Sequence, residues 1–593
     1  MHWLDWSIIG CYIALVTTIG LLFMRRAGGS VAEFFVAGRR LPWWIAGTSL
    51  VATSFAADTP LAITGIVAEK GIAGNWLWWN QVVAWTLAIA VFARLWRRVG
   101  VITDAEFIEL RYGGRPGAFL RGFKAFYVSV IFSTFTLAWV MLAMQKIVSA
   151  TIAEPHWVVS LEQAIANSFG WAAGSFDAWK WIVLIALFVT ATLYTVMSGF
   201  WGIVITDLFQ FGVAIVASML FAFYAVDAVG GVESLKTKLA DRLGADQASD
   251  LLAFWPGSGS EWMPLSAFVV YLSILWWGDC SGGIGTQRMF SARSERDSVL
   301  TAVWYSVAHF ALRPWPWIVV ALVALVYYPD LADRESGYPM LIMDVLPIGL
   351  RGLMIASLLA AFMSTVDTHL NWNASYFVND FYKRFWRPLA NERQCIRVSR
   401  LATLGFALLS IVLAYFMNSI KDAWLVLFNL QAGIGLVLMV RWFWWRVNAW
   451  SEISAMVASL VSTTAFRTLT DWSATTCILA TSVTCSLVWV TVTLLTPHSD
   501  WDTLQRFYRQ ARPSGFLWNA VKRRCPEAGR SELTWQSLLA WPLSAAALYA
   551  LTFTIGKLVL QEYSDAAIPM VATVAFGIPA WLFFGKTQTP TPT

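Results

Sequence analysis

The chain has 593 residues, of which 58% are hydrophobic and only 13% charged, with 36 tryptophans and a formal net charge of +6. Soluble domains are about half apolar and about a quarter charged, so the charge needed to solvate so long a chain is missing and a lipid bilayer is the expected solvent for much of it. That composition argues against a disordered chain, a nucleic-acid-binding domain and a disulfide scaffold, and assigns the excess positive charge to loops facing an anionic leaflet.

Apolar windows of about 20 residues, the length that crosses about 30 Å of hydrocarbon, recur along the chain. They lie near 4–24, 43–68, 75–96, 121–150, 179–197, 200–228, 262–285, 298–328, 350–380, 396–417, 420–440, 449–467, 473–495, 536–560 and 567–585. About fifteen spans are predicted. All should be helices, because a lone strand cannot satisfy its backbone in lipid. The amino terminus shows no secretory-signal pattern. The six cysteines (Cys11, Cys280, Cys395, Cys477, Cys485 and Cys525) have no metal-ligand spacing and read as unpaired thiols.

Loop charge orients the spans. Alternate loops collect Arg25 to Arg40, Arg97 to Arg121, Arg288 to Arg296, Lys383 to Arg400, Arg441 and Arg446, Arg506 to Arg530, and Lys586. Roughly 28 basic residues lie on that side against about seven on the other. The amino terminus is therefore expected outside and the carboxyl terminus in the cytoplasm. Between spans, the insertion at about 229–261 is expected to carry a short surface helix. In the segment 497–534, Trp501, Leu504, Phe507 and Tyr508 have the spacing of a helix lying in the interface. No segment outside the membrane is long enough for a nucleotide-binding domain and no GxxxxGK[ST] loop occurs, so ATP is not the expected energy source.

Two spans carry signs of a midplane break, where freed carbonyls and half-helix ends become ligands. The second contains Ala52-Thr53-Ser54-Phe55-Ala56-Ala57-Asp58-Thr59-Pro60; the seventh reads Trp276-Trp277-Gly278-Asp279-Cys280-Ser281-Gly282-Gly283-Ile284-Gly285, with four glycines that disfavour helix. They stand five spans apart, the relation expected of a five-helix repeat followed by an inverted copy. The alternative reading of each alone is a kinked structural helix. The intramembrane acids are Asp58, Asp207, Asp279 and Asp367, each costing about 2.5–3.5 kcal/mol at a helix centre on insertion scales and so expected to have a partner. In the ninth span Ser364, Asp367 and Thr368 share one helix face and offer hard oxygen ligands to an alkali cation; hydroxyls bonded back to their own helix are the alternative. His309 and His369 read as structural hydrogen-bond formers.

These segments resemble the sodium:solute symporter family. The resemblance rests on Phe34-Phe35-Val36-Ala37-Gly38-Arg39-Arg40-Leu41-Pro42-Trp43-Trp44, Thr206-Asp207-Leu208-Phe209-Gln210, Gln287-Arg288, and Leu353-Met354-Ile355-Ala356-Ser357 through Ala361-Phe362-Met363-Ser364-Thr365 to Asp380-Phe381-Tyr382-Lys383, in order over about 30–450. It implies an all-α polytopic transporter, a single domain over 1–593 with a leucine-transporter-like five-plus-five inverted-repeat core. The core would cover about 43–446 (repeats about 43–228 and 262–446), with one extra helix before it and about four accessory helices over about 447–593.

The resemblance also implies a sodium site made of carbonyls of Ala52, Phe55 and Ala361 and hydroxyls of Ser364 and Thr365. A second site, for sodium or a proton, matches Asp207, Ser364, Asp367 and Thr368. Here Asp367 is a carboxylate where a hydroxyl is common, which leaves one or two coupling sodium ions open. The matching solute positions are Ser54, Thr59, Trp78, Gln81 and Trp276, with Asp58 beside them; Trp78 stands where the sugar transporters have a carboxylate. A neutral or zwitterionic solute, sugar-like or amino-acid-like, is expected, and the indoles also suit apolar or cationic groups. The expected function is sodium-driven import of a small organic solute across the plasma (inner) membrane, with lipid as the only other partner and no nucleotide or nucleic acid. A proton-coupled symporter of the same fold and a membrane-embedded enzyme are the alternatives; the enzyme would want paired acidic metal motifs at a membrane face, whereas these acids are buried and separated. The sequence carries no signal for an oligomeric state.

Overall fold

The amino-terminal apolar run folds as α1 (Trp3–Phe23), and its one acid, Asp5, completes another helix. Asp5 Oδ1 accepts from the backbone N–H groups of Gly349 (2.7 Å) and Gly352 (3.0 Å), which have no partner within the helix that starts there. In this computed structural model residues 1–23, 39–101, 103–170, 172, 176–278, 284–513, 515–528 and 535–586 are described. The stretch 34–38 of the family-like motif and the centre of the seventh span, Asp279 and Cys280 included, lie outside them.

Pro60 decides where the second apolar segment stops being one helix. Its ring clashes with the carbonyl four residues earlier, so a helix holding Pro60 cannot run back through Ala56. The segment splits into α2 (Trp43–Thr53) and α3 (Asp58–Lys70), bent by 58°, with Pro60 in the first turn of α3, where a missing N–H costs nothing. The chain then runs through α4 (Ile72–Val99), the short α5 (Glu106–Tyr112), α6 (Gly114–Thr151) and α7 (His156–Phe169).

α8 (Ala178–Ala228) is helical throughout, although two spans are expected here. Lys180 near its start bonds the carbonyls of Tyr415 and Met417, whereas Val204 packs with Leu41 and Ala46 beside the arginine-rich loops. The helix ends next to the segment whose Arg242 reaches Leu325 and Pro329, away from those loops. Its second part, Ile203–Ala228, is long and apolar enough to cross a membrane, and helical backbone continues into it from the first.

The insertion that follows holds α9 (Val232–Leu243) and α10 (Ala245–Leu252), two surface helices where one is expected. The second repeat-like stretch comprises α11 (Leu265–Gly278), α12 (Ile284–Ser291), α13 (Glu295–Tyr327), α14 (Gly337–Val345), α15 (Leu350–Trp386), α16 (Glu392–Phe416) and α17 (Ile420–Val440). Leu41 and Ala292 form an isolated bridge, joining the start of α2 to the end of α12. α17 approaches α11 so closely that a Cβ on Gly435 would lie 2.4 Å from the Gly278 nitrogen, which is why glycine stands there.

Four accessory helices complete the chain: α18 (Ala449–Leu469), α19 (Ala474–Leu495), α21 (Trp535–Val559) and α22 (Tyr563–Lys586), with α20 (Trp501–Ala511) between the pairs. Among the described residues ten helices are long and apolar enough to cross a membrane, eleven with the bent pair, and three more apolar helices are shorter. The expected fifteen is not reached on that criterion; α18, for one, carries Glu452, Arg467 and many hydroxyls. α22 is 11% buried over its apolar window, with Ile568 and Val571 facing outward, as only lipid permits. This is an integral membrane protein.

The arginine-rich loops form one layer. Arg98 pairs with Glu295, Arg121 with Glu109 and Asp380, Arg384 with Glu109, and Arg441 with Glu452. α20 belongs to this layer instead of lying in the interface as its spacing suggested. Leu504, Phe507 and Tyr508 are buried, Phe507 packs on Phe107 and Trp442, and Gln510 bonds the Val99 carbonyl. Amphipathic spacing alone does not distinguish an apolar protein surface from lipid, and here the protein supplied it.

Candidate functional site

Ending α2 at Thr53 frees carbonyls that a continuous helix would bond internally. Arg313 of α13 takes two of them, Nη1 donating to Val51 O at 3.0 Å and Nη2 to Ser54 O at 2.6 Å. The Thr365 hydroxyl of α15 donates to the Thr53 carbonyl at 3.1 Å. Ala52 O accepts from the Phe55 N–H at 3.0 Å, and the Phe55 ring stacks on Trp317 with centroids 5.2 Å apart. Ala361 lies one turn before Thr365 and is fully buried. The five residues expected around a sodium ion thus sit on two elements, the break and α15, that touch through Thr53 and Thr365.

The cluster expected as a second cation site is built around Asp207. Its carboxylate accepts from Ser49 Oγ at 2.5 Å and from Ser364 Oγ at 2.8 Å. Into the same cluster projects Arg288 of α12: its Nη2 donates to Thr53 Oγ1 (2.8 Å), Thr368 Oγ1 (3.1 Å) and Ser49 Oγ (3.4 Å) and lies 3.7 Å from Asp207 Oδ2. Both charged side chains are wholly buried. Asp367 is buried on the same helix as Thr368, within electrostatic range of the Tyr12 hydroxyl, which accepts from Gln210 at 3.0 Å. A guanidinium therefore stands among the hydroxyls and the carboxylate to which an alkali cation was expected to bind.

Beside the break lies a cavity of about 350 Å³, within the range that takes small-molecule ligands. Ser54, Asp58, Thr59, Trp78 and Gln81 line it, as does Thr365. Trp276 does not: its ring packs on Trp541 of α21, centroids 5.7 Å apart. π-helical turns at Tyr127–Ser133 and Val307–Leu312 lie in two of the walls, and Tyr127 and His309 within them line the cavity; such turns recur at functional sites. Asp58 Oδ2 accepts from the Trp424 indole at 2.9 Å, while Oδ1 has no partner among the described residues. Arg313, within electrostatic range of Asp58, lines the same cavity, and its Nε likewise has no described partner.

Sequence reasoning passed over Arg313, Lys124 and Asp104, all of which line the cavity. For the two bases the signal was present: each is a cation inside an apolar window, as rare as the acids and as informative. Asp104 lies between windows, and only the fold brings it there. At the arginine-rich mouth, burial pushes the Glu109 carboxyl up, but Arg384 and Arg121, bonded to it, hold it below its ordinary value.

Against known families, the profile of the sodium:solute symporter family matches residues 34–461. This chain belongs to the sodium:solute symporter family. It is 25% identical to sodium/glucose cotransporter 4 of Danio rerio over 496 residues, covering 77% of this chain and 70% of that one. To the sodium/glucose cotransporter of Vibrio parahaemolyticus it is 23% identical over 492 residues, 78% and 84% of the two chains. The structure of a Na+-coupled sialic acid symporter, described as a substrate-bound outward-open state, superposes with a TM-score of 0.65 at 20% identity, covering 84% of this chain and 99% of that one. The all-helical transporter fold expected from the sequence is thus the fold of the chain. It is a sodium-coupled symporter of a small solute, and a transporter, not an enzyme.

Proposed function

We propose that the chain moves one sodium ion together with one zwitterionic small solute, by alternating access, toward the arginine-rich end. That end is cytoplasmic on the positive-inside rule, which supports an amino terminus outside and a carboxyl terminus inside; the membrane of this reading is the plasma membrane. The core runs over about 43–446 and the accessory helices over 447–593. The solute class is carried by one observation: at the helix break a buried carboxylate, Asp58, and a buried guanidinium, Arg313, line one cavity, and Asp58 Oδ1 and Arg313 Nε have no hydrogen-bond partner among the described residues. A solute bearing both an ammonium and a carboxylate satisfies both, where a neutral sugar leaves two charges half-solvated.

Sodium binds the carbonyls of Ala52, Phe55 and Ala361 and the hydroxyls of Ser364 and Thr365. Thr365 and Ser364 donate their protons to Thr53 O and Asp207, which leaves the lone pairs of both oxygens for the ion, so ion binding is linked to how α15 sits on the break. At Asp207, Ser364, Asp367 and Thr368 the positive charge is supplied by Arg288, which supports one coupling ion. Ser54, Thr59, Trp78 and Gln81 complete the solute pocket. The test is uptake into proteoliposomes of L-proline, L-alanine, glycine betaine and glucose, with sodium or choline outside. A sodium gradient should drive a zwitterion and not glucose, and Thr365→Ala should raise the half-saturation for sodium about 5–150-fold, the worth of one ligand at about 1–3 kcal/mol. Glucose uptake alone would refute the solute class, and an unchanged sodium requirement in Thr365→Ala would refute the ion site.

A further inference from the structure

At its arginine-rich end the cavity is lined by a second pair of opposite charges. Lys124 of α6 donates to Asp104 Oδ2 at 2.9 Å, and the side chains are only 6% and 3% exposed. A buried ion pair is a stability device only when its remaining hydrogen-bonding positions are filled. Here Asp104 Oδ1 has no partner among the described residues, and neither has the hydroxyl of Tyr127, one helical turn from Lys124. Asp104, Lys124 and Tyr127 all line the cavity that holds Asp58 and Arg313. Unfilled buried polar atoms beside a cavity are where a ligand or water is expected. Trp372, also on this wall, packs with Tyr376, Ala105 and Ala125 and holds the segment carrying Asp104 against α15.

We propose that Asp104, Lys124 and Tyr127 form a second solute site, at the arginine-rich end of the cavity, that takes a zwitterionic solute after it leaves the break. The ammonium group donates to Asp104 Oδ1 and to the Tyr127 oxygen, and the carboxylate accepts from Lys124 as its bond to Asp104 lengthens. The site repeats, with a lysine for the arginine, the couple formed by Asp58 and Arg313, so the solute exchanges one pair of charges for another and is never left unpaired in the low-dielectric interior. The inference rests on the zwitterionic reading of the first site.

Sided transport tests it. Half-saturation for L-proline is measured from each face, in right-side-out and inside-out vesicles containing the full chain, with glucose as neutral control. Asp104→Asn and Lys124→Met should raise the value at the arginine-rich face about 10-fold or more, as loss of a charged hydrogen bond does, and leave the value at the other face within about 2-fold. Tyr127→Phe, which removes a single oxygen and spares the fold, should raise it roughly 3–10-fold on that face only, and Asp104→Glu should restore it. Equal values on both faces in Tyr127→Phe, or a fall in maximal rate alone, would mean that the pair is structural and its free atoms merely hydrated, and would overturn the inner site while leaving the first intact. A wild-type protein that moves glucose and no L-proline would overturn both.

Discussion

Arg288→Leu removes the guanidinium from the Asp207 cluster, together with its bond to Gln287 Oε1 at 3.1 Å. It deletes donors to Thr53, Thr368 and Ser49 at 2.8, 3.1 and 3.4 Å and the positive charge 3.7 Å from Asp207. Asp207 is then a wholly buried carboxylate with two hydroxyl donors, Ser49 and Ser364. Removing one member of a buried pair costs about 3–5 kcal/mol. The space left is ringed by Asp207, Thr368, Ser49 and Ser364, an oxygen set suited to sodium, and an ion at 100 times its dissociation constant returns about 2.7 kcal/mol. The variant should therefore be strongly destabilised in choline chloride and recover about half or more of the loss in sodium chloride. Asp207→Asn/Arg288→Leu, with neither charge, should be near wild type in stability and no more sensitive to sodium than wild type. Thermal unfolding of the purified protein in the two salts reads all three. Equal loss in both salts for Arg288→Leu would refute the idea that the guanidinium occupies a cation position.

Glu109, held below its ordinary value by Arg384 and Arg121 against the opposing effect of burial, contributes stability that is complete above the usual glutamate range and lost as pH falls through its lowered value. Unfolding temperatures measured from pH 7 down to pH 4 should therefore fall less steeply in Glu109→Gln than in wild type. Gln81 lines the cavity and Trp276 packs on Trp541, so Gln81→Ala should raise the solute half-saturation several-fold and Trp276→Ala should leave it unchanged; radiolabelled uptake distinguishes them. Trp541→Phe removes the indole bond to the Val83 carbonyl at 2.9 Å and should cost about 0.5–1.5 kcal/mol of stability, read as a lower unfolding temperature.

The fold was legible because a bilayer imposes few choices. Twenty apolar residues must be a helix, and Pro60 beside Asp58 fixes a break that the structure places between Thr53 and Asp58. The polar face of α15 was equally readable, since Ser364, Asp367 and Thr368 follow from helical spacing, and the family resemblance added Thr365. What spacing could not reveal is which partner arrives from elsewhere in the chain. Arg288 reaches Thr53 and Thr368 across 235 and 80 residues of sequence, and Asp104 meets Lys124 only because α5 folds back on α6. Trp276 was misplaced for the same reason. Its position relative to the break is local, but the surface it packs on, Trp541, belongs to an accessory helix beyond the reach of a repeat-based reading. α20 shows the limit from the other side: an apolar stripe is visible in sequence, and its occupant is not.

The number of charges carried per solute tests the central claim most directly. In voltage-clamped proteoliposomes carrying the full chain, simultaneous current and L-proline flux at neutral pH should give one positive charge per solute, because Arg288 stands at the Asp207 cluster and the proposed account leaves a single ion, between the helix break and α15. Two charges per solute in the wild-type protein, or flux without current when sodium is the only cation gradient, would contradict the account.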